Sequence, residues 1–228
     1  GVAVLNETRF SRFEGEGIVT DSGSIRFGHI VGADGAVSRV RRCLGLPPAV
    51  GVVALQLREV NAGGVFDVPH VWFSPREFGA GYAWAFPHEG GTRIGLGVPT
   101  LTHSSADLKR LFFRFVKRLS ISSGNGVLES GSIGCRYCGH RFGRVFLAGD
   151  AAGLASPVTG EGIAQALVSG EEVAREIVDS SYRSKIIGAL SIAHRRTFDT
   201  LANPLSGFIA YEAAALFLKN RWLAEKAL

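Results

Sequence analysis

VFLAGDAAGLASPVTGEGIAQALVSGEEVAR, Val145 to Arg175, decides how this chain is read. A short apolar run, Val145–Leu147, ends in Ala148-Gly149-Asp150, and small residues there let a ligand approach the backbone. Asp150 then stands at the carboxyl end of a strand, where an ionised carboxylate accepts hydrogen bonds from sugar-type hydroxyls. Pro157 stiffens the turn that follows, and Gly160 and Gly162 leave the first amides of the next helix unobstructed for negative charge. That helix has Ile163, Leu167, Gly170, Ala174 and Ile177 at helical spacing, with Glu171 and Arg175 set to pair at i,i+4. Spacing alone leaves two readings open: a cofactor cradle, or a plain strand–turn–helix whose glycines serve close packing.

Upstream, Ile25–Val31 leans apolar and runs into Gly32-Ala33-Asp34-Gly35, after which Ser38-Arg39-Val40-Arg41-Arg42 has helical character. An Asp-Gly pair at a strand end is also a turn signature in its own right. Arg39, Arg41 and Arg42 read most simply as a solvated helix face, with a phosphate contact as the alternative. Between these two motifs the pattern changes. Val50–Val60, His70–Ser74, Gly81–Pro87 and Thr92–Val98 read as strands, separated by turns at 61–64, 74–77 and 88–91, which favours an antiparallel sheet. Ser105–Ser120 follows as an amphipathic helix with Leu108, Leu111, Phe112, Phe115 and Leu119 on one side. In the third strand Tyr82, Trp84 and Phe86 share a face by the two-residue alternation. They are either a core face or an apolar wall against a hydrophobic ligand.

Taken as full strings, these stretches resemble a known family. Gly149-Asp150-Ala151-Ala152-Gly153, with Pro157, Gly160-Glu161-Gly162 and Ser169-Gly170-Glu171 behind it, resembles the second flavin motif of FAD-dependent oxidoreductases of the para-hydroxybenzoate-hydroxylase-like fold. Asp34-Gly35 in its setting is similar to the DG motif of that fold. Tyr82-x-Trp84-x-Phe86-Pro87 matches the YxWxFP motif of the geranylgeranyl reductase family. The resemblance covers about Ile30 to Glu176. It implies that Asp34, Gly35, Gly149, Asp150, Pro157, Gly160, Glu161 and Gly162 bind FAD, with Asp150 on the ribityl chain. It further implies that Tyr82, Trp84 and Phe86 contact a polyprenyl substrate, whose double bonds are reduced by hydride from the flavin N5. NADPH or ferredoxin would be the electron donor. No catalytic side chain is named; Tyr82 and water are the candidates for proton donor. Hydroxylases of the fold read GDAAH, and Gly153 stands at their histidine. A monooxygenase or halogenase of the same fold and a non-catalytic lipid-binding remnant are the alternatives.

The expected fold class is α/β (α+β), a partial FAD/NAD(P)-binding fold. Residues 1–48 and 128–182 are its remainder, 49–127 an inserted antiparallel-sheet substrate domain, and 183–228 a C-terminal helical region. The family's opening GxGxxG unit is absent, Val2–Leu5 already reads as a strand and no Met occurs, so the expectation is an N-terminally truncated chain that binds FAD weakly by itself.

Composition agrees with a globular domain: 228 residues, 46% hydrophobic and 20% charged, with a formal charge of +5 too diffuse for nucleic acid. No apolar run reaches the roughly 18 residues of a membrane span, so the expected location is cytoplasmic, with membrane-surface association through the apolar Leu205–Leu218 and basic Lys219–Arg221 as an alternative to plain packing. Oligomeric state stays open. Cys135-x-x-Cys138 reads as incidental thiols, a redox pair or, least, metal ligands; with His140 alone beside it, no metal site is expected. The histidines have no triad or ligand spacing and are assigned ordinary structural roles.

Overall fold

The computed structural model describes residues 1–60, 66–89, 91–120, 126–202 and Ile209. In chain order the elements are β1 (Phe10–Glu14), β2 (Gly17–Thr20), β3 (Gly23–Arg26), β4 (Ile30–Gly32), α1 (Arg39–Cys43), β5 (Val50–Val60) and β6 (His70–Phe73). Then come α2 (Pro75–Phe78), β7 (Tyr82–His88), β8 (Gly91–Pro99), α3 (Ser105–Arg118) and β9 (Val127–Gly134). The last are β10 (Arg141–Phe142), β11 (Val145–Leu147), α4 (Gly149–Ala152), α5 (Ile163–Val178) and α6 (Lys185–Ala202). They divide into two units, Gly1–Val50 with Ile133–Arg195, and Gly51–Ser132 with Arg196–Leu228.

In the first unit β1, β2 and β3 form an antiparallel meander, and a separate sheet has the order β10-β11-β4. β11 runs parallel to β4, with Leu147 opposite Gly32, and antiparallel to β10. The single run expected at Ile25–Val31 is therefore two strands in different sheets, broken at 27–29. The strand expected at Val2–Leu5 is not formed; Val2, Val4 and Leu5 are exposed and have neither a ladder nor a covered face to hold them extended. The core comprises Val40, Phe146, Leu147, Ala151, Ala152, Leu154, Val173 and Ile187. α5 ends where Asp179 turns extended, φ −115° and ψ 104°, and α6 begins after Ser184, whose hydroxyl accepts from the Ile187 amide at 3.0 Å.

The second unit is one antiparallel sheet of order β6-β7-β8-β5-β9 with α3 packed on one face. Ser104 and Asp107 form a capping box that fixes where α3 starts. Leu108, Leu111, Phe112, Phe115 and Val116 of the helix then meet Leu57, Ala83, Ala85, Ile94, Leu96 and Val98 of the sheet. At about 1.5 to 3 kcal/mol for each large side chain, this burial dominates what holds the unit together. The turn expected at 74–77 is instead the short helix α2, started by Ser74 and a proline in its first turn. The expected turn at 61–64, Gly90 and the apolar and basic segment 205–221, apart from Ile209, lie outside the described residues.

Candidate functional site

Both motifs leave the small parallel sheet at the same end. Because β4 and β11 are neighbours in parallel register, Asp34-Gly35 follows one strand and Gly149-Asp150 follows the other, and the Ala148 amide donates to the Gly32 carbonyl at 3.0 Å. Ligands of open α/β sheets bind beyond such carboxyl ends. Asp34 Oδ2 accepts from the amides of Arg39 at 2.7 Å and Val40 at 3.2 Å, so this exposed carboxylate shapes the loop between strand and helix. Asp150 Oδ2 accepts from the Gly134 amide at 2.8 Å, while Oδ1 lies 3.0 Å from where a Cβ of Gly162 would stand. A Cβ on Gly134 would come within 2.1 Å of the Asp150 carbonyl oxygen, so only glycine brings that amide to the carboxylate. Gly134 thus joins the candidate site beside Asp150, with no local signal in the sequence to mark it.

Gly149 donates its amide to the buried Ser169 hydroxyl of α5 at 2.8 Å. Gly153 caps α4 in the left-handed region, φ 80°, and a Cβ there would meet the Arg136 carbonyl at 2.4 Å. Any side chain there would press on main chain, so a histidine at this position requires the backbone to move. Farther on, the turn holding buried Pro157 closes through Ser156 N to Glu161 O at 2.7 Å and Gly160 N to Ser156 O at 3.0 Å. The exposed Glu161 donates its own amide to Thr159 Oγ1 at 3.3 Å. Two of the amides expected to face a ligand are therefore occupied in the turn. The start of α5 at Gly162 has neither a side-chain cap nor an acidic residue in its first turn, which leaves its amides suited to an electron-rich group.

The buried face of α5 and the surroundings of Arg41 both differ from what local spacing suggests. Of the stripe Ile163, Leu167, Gly170, Ala174 and Ile177, only Ile177 packs against the core; Ile163 is 80% and Leu167 72% exposed, and the buried residues of α5 are Ser169, Glu172, Val173 and Glu176. Periodicity marked an apolar stripe, but hydrogen bonding selected the other face. The Glu171–Arg175 pair is present at 2.6 Å. Arg41, expected on a solvated face, is 2% exposed. Its guanidinium donates to the carbonyls of Pro47 at 2.6 Å, Ala151 at 3.0 Å and Arg136 at 2.8 Å, which binds the Asp34 loop to the Asp150 loop. Burial lowers its pKa, yet an arginine remains charged at neutral pH. Arg39 is exposed and donates to the Phe10 carbonyl at 2.9 Å, and Arg42 is exposed.

His140, assigned no special role by spacing, is flanked by Tyr137 Oη at 2.7 Å and Glu176 Oε1 at 3.1 Å. Glu176 also faces Arg141 at 3.4 Å and accepts the Ser184 amide at 3.0 Å. Burial pushes the Glu176 carboxyl up, but Ser184, His140 and Arg141 outweigh it and hold it below the usual carboxylate range. Glu172 is held low by the Ser184 and Tyr182 hydroxyls. These groups anchor the far end of α5. Cys135 is buried, Cys138 is exposed, and both are thiols. No group of side chains able to hold a metal is found among the described residues.

In the second unit Tyr82, Trp84 and Phe86 lie on the sheet face opposite α3, since Ala83 and Ala85 take the core positions between them. The rings follow one another, Phe73 to Tyr82 at 5.8 Å, Tyr82 to Trp84 at 5.7 Å and Trp84 to Phe86 at 6.3 Å. Phe73 and Phe86 are each 40% exposed. Burial pushes the Tyr82 hydroxyl above its ordinary pKa, so it stays protonated at neutral pH. The row is a continuous apolar surface rather than part of the core.

No family model matches the chain. It is 30% identical over 195 residues to digeranylgeranylglycerophospholipid reductase 2 of Methanopyrus kandleri, covering 78% of this chain and 48% of that protein. It is also 30% identical to the digeranylgeranylglycerophospholipid reductase of Thermoplasma volcanium, over 72% of this chain and 45% of the relative. The chain thus spans about half the length of the curated relatives it matches. Among solved structures, a geranylgeranyl bacteriochlorophyll reductase-like protein from Thermoplasma acidophilum superposes with a TM-score of 0.58 at 25% identity, over 86% of this chain and 53% of that one. The anhydrotetracycline hydroxylase OxyS of Streptomyces rimosus gives 0.57 at 16% identity, over 96% and 49%, a likeness of fold. The fold is the para-hydroxybenzoate-hydroxylase-like one of FAD-dependent oxidoreductases.

Proposed function

Because this chain belongs to the geranylgeranyl reductase family of FAD-dependent oxidoreductases, we propose that it carries the riboflavin-side and substrate-side parts of an enzyme that reduces carbon–carbon double bonds in the polyprenyl chains of an isoprenoid lipid. The observation that carries this reading is the emergence of Asp34 and Asp150 from adjacent parallel strands, beside a glycine-opened, uncapped helix start.

The residues fit FAD. Asp150 Oδ1 borders Gly162, where even a Cβ would stand at 3.0 Å, and Gly35 has open space where a side chain would be. Asp150 would accept ribityl hydroxyls, the first amides of α5 would face the electron-rich end of the flavin, and Asp34-Gly35, Gly149, Pro157, Gly160 and Glu161 would line its approach. When bound, FAD supplies the hydride that no side chain can provide. The chain's own contribution is to orient the cofactor and to offer an apolar row, Tyr82, Trp84 and Phe86, on which a polyprenyl chain lies away from water. The uncovered apolar residues of α5 and the outer edge of β4 suit a further nucleotide-binding unit that would hold the ADP half. NADPH or ferredoxin would reduce the flavin. A lipid substrate brings such an enzyme to a membrane surface; no described helix is long and apolar enough to cross one.

The test is to supply a GxGxxG domain upstream and assay anaerobically with a digeranylgeranylglycerol phospholipid and dithionite-reduced FAD. Mass spectrometry should find two hydrogens added per bond reduced, and Asp150→Ala should lose flavin binding. Oxygen-dependent hydroxylation of aromatic compounds without lipid reduction would instead establish a monooxygenase, against which the tight packing of Gly153 speaks. Absence of flavin binding would leave the remnant reading.

A further inference from the structure

The orientation of Trp84 is specified by groups that the motif itself does not contain. Its indole Nε1 donates to Gln56 Oε1 at 3.2 Å on β5. Gln56 in turn donates through Nε2 to Glu129 Oε2 at 3.3 Å on β9, and the other Glu129 oxygen faces Arg58 Nε at 3.3 Å. The ring meanwhile lies across β8. A Cβ on Gly95, the residue opposite Trp84, would stand 2.0 to 2.1 Å from the indole carbons Cζ2 and Cε2, and one on Gly97 would stand 3.7 Å from Cζ3. Sheet register thus gives the indole a glycine floor, and a hydrogen-bonded chain over three strands fixes its heading. A tryptophan placed only by hydrophobic contact would have neither.

We propose that Gln56, Glu129 and Gly95 are positioning residues that hold the Trp84 indole flat on the sheet, so that the row from Phe73 to Phe86 presents a level apolar track selective for long polyprenyl chains. This rests on the functional reading above. An indole lying along β8 adds its face to the row, and a lifted one interrupts it. A long chain that crosses the Trp84 position loses contact on both sides of the interruption, whereas a short chain can lie on either side. The chain-length ratio of affinities therefore reports the ring's posture, which overall stability does not.

The experiment measures binding of detergent-dispersed geranylgeraniol and of the two-isoprene alcohol geraniol to the protein, alongside the Trp84 indole N–H resonance assigned with Trp84→Phe. Gln56→Leu and Gly95→Ala are expected to shift that resonance and to weaken geranylgeraniol binding roughly three- to tenfold, the scale of one neutral hydrogen bond, with geraniol little changed. Gln56→Glu alone faces Glu129 with a like charge and should weaken it as well. Combined with Glu129→Gln, a donor faces an acceptor at both links again, and binding should return to within about twofold of wild type. Wild-type binding of geranylgeraniol with unchanged affinity in folded Gln56→Leu and Gly95→Ala overturns the positioning role alone. Failure of the wild type to bind either alcohol overturns the functional reading and this proposal with it.

Discussion

The two units build recognition surfaces from opposite materials. Around Asp150 the surface is backbone: main chain meets Gly134 and Gly153 at distances that leave no room for a side chain, and Gly149 and Gly162 sit with 3.0 Å between the place of a Cβ and its nearest neighbour. Around Trp84 it is side chain: four aromatic rings standing on one face of a sheet, with glycines beneath the largest. A backbone surface has no rotamers to change, so a substitution there must move main chain. A side-chain surface can be tilted, widened or shortened one residue at a time. On the proposed function, a backbone surface suits a cofactor that does not vary, and a side-chain surface suits a substrate whose length and shape can.

The contrast can be broken most severely at Gly153. Gly153→His must leave the left-handed conformation and clears the Arg136 carbonyl only by moving backbone, so a loss above about 4 kcal/mol is expected by urea denaturation. A variant as stable as wild type would show that the first unit yields like a side-chain surface. An intermediate effect is expected at Glu176, where polar side chains rather than backbone hold α5. Glu176→Gln should cost about 2 to 3 kcal/mol at neutral pH, because it leaves Arg141 and His140 facing an amide. The native carboxyl titrates below its unfolded value, so its stabilisation is complete well above the ordinary glutamate pKa and is lost as pH falls through the lower folded value. Thermal melts of wild type and variant should therefore converge on acidification; a constant gap would refute that assignment. The smallest loss belongs to Gly95→Ala. There the obstacle is a ring that can lift, so about 1 to 2 kcal/mol is expected from the same denaturation series. A loss as large as that of Gly153→His would erase the distinction between the units.

What the sequence made legible follows the same division. Asp34-Gly35, Gly149-Asp150 and the Tyr82–Trp84–Phe86 alternation were readable because each needs particular residue types at a fixed local spacing. The strands of the second unit were readable too, since apolar and turn residues alternate along them. What escaped depends on distant partners. Gly134 reads as an ordinary glycine until its amide meets Asp150, and His140 until it meets Glu176 on α5. Arg41 reads as surface because its three carbonyl partners come from separate segments. The polar face of α5 is buried because Gly149, Tyr182, Ser184 and His140 satisfy it, and an apolar moment carries no record of that. The meander β1–β3 was missed because its short strands are largely exposed and have no clear alternation.

Arg41 has one consequence for anyone who would transplant this chemistry. Its single guanidinium ties α1, whose start the Asp34 loop holds, to the Pro47 and Arg136 segments and to α4. The two aspartate loops are therefore one interchangeable part, not two. A graft that moves either loop into another scaffold without this arginine and its three carbonyls would carry the motif's letters and leave its shape behind.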